Sequence, residues 1–166
     1  MGVWLGRDPA ANEREMELGL AAAKRDAGTL RGIVVGNEVL LRRELTEKAL
    51  AGYIERMNAA TDVPVTYADV WEFWQAHPEL AKVTDYVTIH ILPYWEDEPV
   101  APEKAIRHVA DVYQRMDQGD RTGSVAAIHI NNRTEGIDGI TVGSGTDLGG
   151  RAITIQVVGA NPLKMS

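Results

Sequence analysis

The chain has no cysteine. That excludes a disulfide framework, a thiolate nucleophile and a cysteine-based metal site, and it leaves the compartment open. The four histidines, His77, His90, His108 and His129, show no familiar ligand spacing, so no metal and no other cofactor is expected. Basic residues are the minority charge. The 17 Lys and Arg stand against 24 Asp and Glu, a net charge of −7. Phosphate binding needs clustered Lys and Arg, so nucleic acid and anionic membrane are poor partners for such a chain. No apolar run approaches the roughly 20 residues of a membrane span. Residues 1–5 are too short for a signal peptide and lack its charged start. Localisation therefore stays open. No Gly-rich phosphate loop follows any apolar run, which weighs against a nucleotide fold.

Aromatic residues are missing from one region only. All four Trp, all five Tyr and the single Phe lie at or before Tyr113. The last 49 residues hold none, yet they carry nine of the 16 Gly. Their charges balance at four acidic and four basic residues, so the negative charge belongs to the first part. This break divides the chain into a region at 1–117 and a β-rich tail at 118–166. The tail reads as short strands over 125–130, 137–142 and 152–158. Asn131-Asn132, Gly143-Ser144-Gly145 and Gly149-Gly150 supply turn signals between them.

What the first part contains is an alternation of strands and helices. The N-terminus reads as the tail of a strand already in progress, which implies a truncated start. Asp8-Pro9 opens a helix over 9–27, with Asp as N-cap, Pro at the first helical position and Gly28 as the stop. A strand over 30–35 follows. Thr46 caps a second helix whose apolar face is Leu50, Tyr53, Ile54 and Met57. Residues 64–68 read as a strand, 69–74 as the entry to a short helix, and 86–92 as a strand rich in β-branched residues. Pro102 starts a helix with Ala105, Ile106, Val109, Val112, Tyr113 and Met116 on one face. The repeat is roughly 25–31 residues, and a complete (β/α)8 barrel uses about 31 per unit. The fold class is α/β, an incomplete (β/α)8 barrel with a Gly-rich β tail.

Parallel strands are continuous apolar runs, and reacting groups sit just past their C-terminal ends. Ile33-Val34-Val35-Gly36-Asn37-Glu38 is such a run ending in a carboxylate. Successive strand mouths add Asp69, Glu96, Asp97 and Glu98, with Tyr67, Trp71, His90, Tyr94 and Trp95 nearby. Carboxylates beside aromatics suit sugars, whose apolar ring faces lie on Trp or Tyr while their hydroxyls need hydrogen-bond partners. Blander readings stand beside this one. Trp71, Phe73 and Trp74 read equally as core, His90 as a hydrogen-bonded core histidine, and Glu96-Asp97-Glu98 as a solvated loop.

Four ordered blocks resemble glycoside hydrolase family 17, most nearly its bacterial branch acting on or remodelling β-1,3-glucans. They are Trp4-Leu5-Gly6-Arg7-Asp8, Val34 through Arg42, Pro64 through Asp69, and His90 through Glu96. The likeness covers about residues 3–116. It implies a partial TIM barrel, a retaining two-carboxylate mechanism and a β-glucan oligo- or polysaccharide as partner. Glu38 would match the acid/base, with Asn37 beside it near the sugar 2-hydroxyl. Tyr94 would line the site, and Tyr67, Asp69 and Trp95 would line sugar subsites. The family nucleophile lies in a Gly-Glu-Thr-Gly-Trp-Pro-like stretch, which this sequence lacks. The nearest carboxylates are Glu135 and Asp138. With one of two cooperating groups missing, greatly reduced activity is expected, and Glu38 is expected to titrate as an ordinary Glu. A non-catalytic carbohydrate-binding fragment and a truncated gene product stand as alternatives. Open barrel edges would favour self-association.

Overall fold

The computed structural model describes residues 1–26, 28–119, 125–132, 144–146 and 152–159, with side chains described through residue 116. The chain divides into two compact units, Met1–Thr88 and Ile89–Ser166.

The first unit begins with β1 (Gly2–Val3), which pairs in parallel with β2 (Ile33–Asn37) through Gly2↔Val34 and Val3↔Val35. Between them runs α1 (Pro9–Arg25), with Asp8 as N-cap accepting the Ala10 amide. The helix stops at Asp26 rather than at Gly28. The Thr29 and Leu30 amides both donate to the Asp26 carbonyl, forming a turn that occupies the expected start of the strand. β2 accordingly begins three residues later than its apolar content suggests.

Thr46 caps α2 (Glu47–Asn58) through the Ala49 amide, and Leu50, Ile54 and Met57 are its buried residues. β3 (Val65–Val70) lies parallel to β2, with Ile33↔Val65, Val34↔Thr66 and Asn37↔Ala68 in register and an irregularity between Val34 and Asn37. Every residue of β3 is buried. The strand runs two residues past the expected end. α3 (Trp71–Ala76) follows directly, and Pro78–Lys82 forms a 3-10 turn. Trp74 is buried, and its indole N–H donates to the Thr88 carbonyl at 2.9 Å, which makes it core. β4 (Val87–Ile91) enters beside β3: the Asp85 amide donates to the Val65 carbonyl and the Thr66 hydroxyl to the Tyr86 carbonyl. The order β1-β2-β3-β4 with helices between successive strands is the α/β pattern expected of a barrel segment.

In the second unit, α4 (Pro102–Gly119) buries Ala105, Val112 and Met116. Ile106 is 71% exposed, against expectation. The buried positions recur at i, i+7 and i+11, and Ile106 stands about 100° around the helix from Ala105. β5 (Val125–Asn132) pairs in parallel with β7 (Ala152–Gly159), and β6 (Ser144–Thr146) pairs with β7 antiparallel. Ser144 and Gly145, expected in a turn, are thus strand residues held by pairing. The expected strand at 137–142 lies outside the described residues. No helix among the described residues is long and apolar enough to cross a membrane.

Candidate active site

The end of β2 is where the chain leaves extended geometry. Gly36 has φ +81°, and a Cβ there would come within 2.9 Å of Val39 Cγ2. Only glycine fits both demands. Two residues on, Glu38 has φ +52°. A non-glycine residue held in this region costs of order 1–3 kcal/mol, and such residues cluster at functional sites. The Glu38 amide makes the last rung to β3, donating to the Ala68 carbonyl at 2.7 Å. The chain then coils: the Arg42 amide donates to the Glu38 carbonyl, Arg43 to Leu40 and Glu44 to Val39. Asn37 and Glu38 are both half-buried at this strand mouth.

Tyr67 and Asp69 stand on β3 beside that turn. They are 1% and 0% exposed, so neither presents a surface to a sugar as the resemblance would have it. The Tyr67 hydroxyl accepts the Leu40 amide at 3.0 Å and donates to Asp69 Oδ2. Asp69 also accepts the Val70 amide at 2.8 Å and, more weakly, the Leu41 amide at 3.5 Å. Burial pushes the Asp69 carboxyl above the usual range; its hydrogen bonds oppose that rise and the nearby Glu38 charge adds to it. Burial, followed by the Asp69 charge, pushes the Tyr67 hydroxyl well up, so it stays protonated. The Tyr67 ring packs on Trp74 with centroids 5.6 Å apart.

Arg42 is the residue that sequence reasoning passed over. Its guanidinium donates to the Leu5 carbonyl at 3.0 Å, to the Asn37 carbonyl and to Glu44 at 2.7 Å. It also lies 4.5 Å over the ring of Trp4, itself 58% exposed. One side chain thus ties the mouths of β1 and β2 together. Its position four after Glu38 falls in an irregular turn, where no periodicity marks it. Asn12 does similar work for the β1 exit, bridging the Gly6 amide and carbonyl at 2.8 Å each.

Tyr94 and Trp95 belong to the second unit. They are 51% and 57% exposed and meet edge to face at 5.2 Å. The next residue, Glu96, is not part of a solvated face. Its side chain is 9% exposed, contacts His108 Nε2 at 2.7 Å and accepts the Leu92 amide at 3.1 Å. Asp97 and Glu98 do face solvent. His90 is buried within β4. Glu135 and Asp138 lie outside the described residues. Among the described residues no cluster of three or more His, Asp or Glu could hold a metal ion.

A strained carboxylate at the mouth of a parallel strand, with a buried acid on the next strand, is an arrangement suited to proton transfer. The model of the BtgE/BtgC glycoside hydrolase domain matches residues 1–125. The chain belongs to this family. Among relatives of this glycoside hydrolase domain is a glucan 1,3-beta-glucosidase of Schizosaccharomyces pombe, 28% identical over 106 residues, which are 59% of this chain and 33% of that protein. Among solved structures, an active-site mutant of the Rhizomucor miehei beta-1,3-glucanosyltransferase in complex with laminaritriose is 26% identical, with a TM-score of 0.63. That match covers 77% of this chain and 47% of the other. The chain thus spans a third to a half of the length of these relatives. Neither relative comes from a bacterium, so they do not carry the expected bacterial branch. The family and the α/β barrel segment both agree with what the ordered sequence blocks implied.

Proposed function

We propose that this domain acts on β-1,3-glucan as a glycoside hydrolase or transglycosylase of the retaining kind, with Glu38 as its acid/base. The observation that carries the reading is Glu38 itself, held at φ +52° at the mouth of β2 in a chain of glycoside hydrolase family. In this role the Glu38 carboxyl protonates the glycosidic oxygen as a second carboxylate attacks the sugar carbon. It then takes the proton from water, or from an incoming sugar hydroxyl, as the covalent intermediate resolves. Asn37, the preceding residue, would contact a sugar hydroxyl in this role. Laminaritriose, the ligand of the glucanosyltransferase neighbour, is the substrate to try first. The test is product analysis by chromatography with parent and Glu38→Gln protein. Shorter sugars report hydrolysis and longer ones transfer, and both should vanish in the variant. An unchanged rate in Glu38→Gln would remove Glu38 from the role. Glu135→Gln and Asp138→Asn test the two remaining candidates for the attacking carboxylate.

A second reading, a carbohydrate-binding fragment without turnover, is favoured by the exposure of Tyr94 and Trp95. It expects calorimetric binding of laminaritriose that survives Glu38→Gln, with no product from either protein. Both readings leave β1 at the edge of its sheet, and a second copy pairing there is the self-association to look for. Light scattering showing only monomer at high concentration would dismiss it.

A further inference from the structure

Tyr67 and Asp69 are expensive residues for their location. A buried carboxylate is costly unless its lone pairs are filled, and removing one partner leaves the other exposed to the full desolvation penalty. A hydrophobic pair would pack β3 with less cost. These two side chains instead reach the turn after β2, where the amides of Leu40 and Leu41 point at them. Those amides lie two and three residues beyond Glu38. No substrate can touch either side chain, since they are 1% and 0% exposed. Their effect must pass through the turn or through space. We infer that Tyr67 and Asp69 are a positioning pair, which clamps the turn carrying Glu38 and sets a second negative charge beside it.

The inference rests on Glu38 being the acid/base. The Glu38 amide bonds the Ala68 carbonyl, so Glu38 and Asp69 stand on adjoining strand ends. Interaction between two carboxylates is mutual, so the field of Glu38 felt at Asp69 is also the field of Asp69 felt at Glu38. An acid that must carry a proton between turns of the cycle gains from such a neighbour. This departs from the expectation that Glu38 behaves as an ordinary Glu. Other charged groups near this mouth include Arg7, whose charge is felt at Glu44. Arg42 and Glu44 are paired with each other at 2.7 Å, and Arg42 is further engaged by the Leu5 and Asn37 carbonyls. Asp69 is the β3 acid whose charge interacts with that of Glu38.

The test uses the whole chain with carboxyl-labelled Asp and Glu, read by NMR. In the unaltered protein the Glu38 and Asp69 resonances should titrate interdependently, each sensing the midpoint of the other. In Asp69→Asn the Glu38 midpoint should move to lower pH. In Tyr67→Phe, which keeps the ring, Leu40 amide exchange should quicken about tenfold, as expected for a lost hydrogen bond of about 1.4 kcal/mol. With laminari-oligosaccharides, both variants should lower kcat more than they change KM, and Asp69→Asn should pull in the alkaline limb of kcat/KM. Independent titrations in the unaltered chain, together with unchanged Leu40 exchange in Tyr67→Phe, would overturn the inference. If the parent turns over no glucan, the functional reading fails by itself, and the NMR readings still decide whether the pair acts on Glu38.

Discussion

The segments that follow β2 and β4 draw on the same residue types, aromatics and carboxylates, and use them in opposite ways. After β2 the carboxylate Glu38 sits half-buried on a strained backbone, and the acid and aromatic on the next strand, Asp69 and Tyr67, are wholly buried. After β4 the aromatics Tyr94 and Trp95 are turned out, and it is the carboxylate Glu96 that is drawn in, against His108. The difference lies in what each loop's backbone needs. The turn after β2 points the Leu40 and Leu41 amides toward β3, and a buried hydroxyl and carboxylate answer them. The loop after β4 satisfies its amides locally, through the Leu92 carbonyl and the Glu96 carboxylate, which frees its aromatics for the surface. On the proposed reading the first segment aims a reacting group, and the second offers two exposed aromatic rings set edge to face.

Matched substitutions at the two carboxylates should separate them most sharply. Glu38→Gln should lower kcat on laminari-oligosaccharides by about 10²–10⁴, the usual worth of a positioned general acid/base. Glu96→Gln should change it by less than about tenfold, since a loop-holding carboxylate touches no reacting atom. Equal losses in initial-rate measurements would break the comparison. Next in size is the backbone of the first segment. Gly36→Ala places a Cβ against Val39 in a left-handed conformation, and that conformation alone costs about 1–2 kcal/mol. A calorimetric Tm lower by roughly 5–10 °C is expected for a unit of this size. An unchanged Tm would mean that the turn has an easy alternative geometry.

The segment after β4 predicts the reverse balance of effects. Trp95→Ala should leave stability within about 0.5 kcal/mol, as surface substitutions do. It should weaken laminaritriose binding about tenfold in Kd, or about 1.4 kcal/mol. Calorimetry and a thermal melt on the same variant check both halves. A large loss of Tm with intact binding would assign Trp95 to the core instead.

Much of this architecture is legible in local sequence, and the parts that are not share a cause. Asp8-Pro9 and Thr46 announce their helices because a cap acts on amides two or three residues away. Pro102 works in the same local way. Glu38 is visible because an apolar run must end somewhere, and a charge marks the end. The start of β2 is not visible, because Thr29 and Leu30 are taken by a turn onto Asp26 that their composition does not advertise. The burial of Tyr67 and Asp69 depends on amides 27 and 28 residues away. Polarity alone therefore places Asp69 at a sugar-facing surface, and the pairing of strands places it inside. Glu96 is misread for the same reason, since its histidine is on α4. Ser144 and Gly145 look like a turn until β7 pairs with them.

The smallest effect is a slope, and it distinguishes buried from surface carboxylates by sign. Asp69 has a folded-state pKa raised chiefly by burial. The folded chain then holds this proton more tightly than the unfolded one. Its contribution to stability is complete below the ordinary Asp value of about 3.9 and is lost as pH rises through the raised value. Glu44 is the opposite case: the Arg42 hydrogen bond holds its carboxyl below the usual range. Its contribution is present above the ordinary Glu value and is lost as pH falls through the lowered one. The Tm difference between Asp69→Asn and parent should therefore grow more favourable to the variant as pH rises from about 4 toward 7. The difference between Glu44→Gln and parent should turn against the variant as pH rises from about 3 to 5, and should shrink in salt because the pair is solvent-accessible. Parallel slopes for the two variants would mean that Asp69 is ionised as readily as a surface acid, and the contrast between a buried acid behind Glu38 and the charges around it would fail.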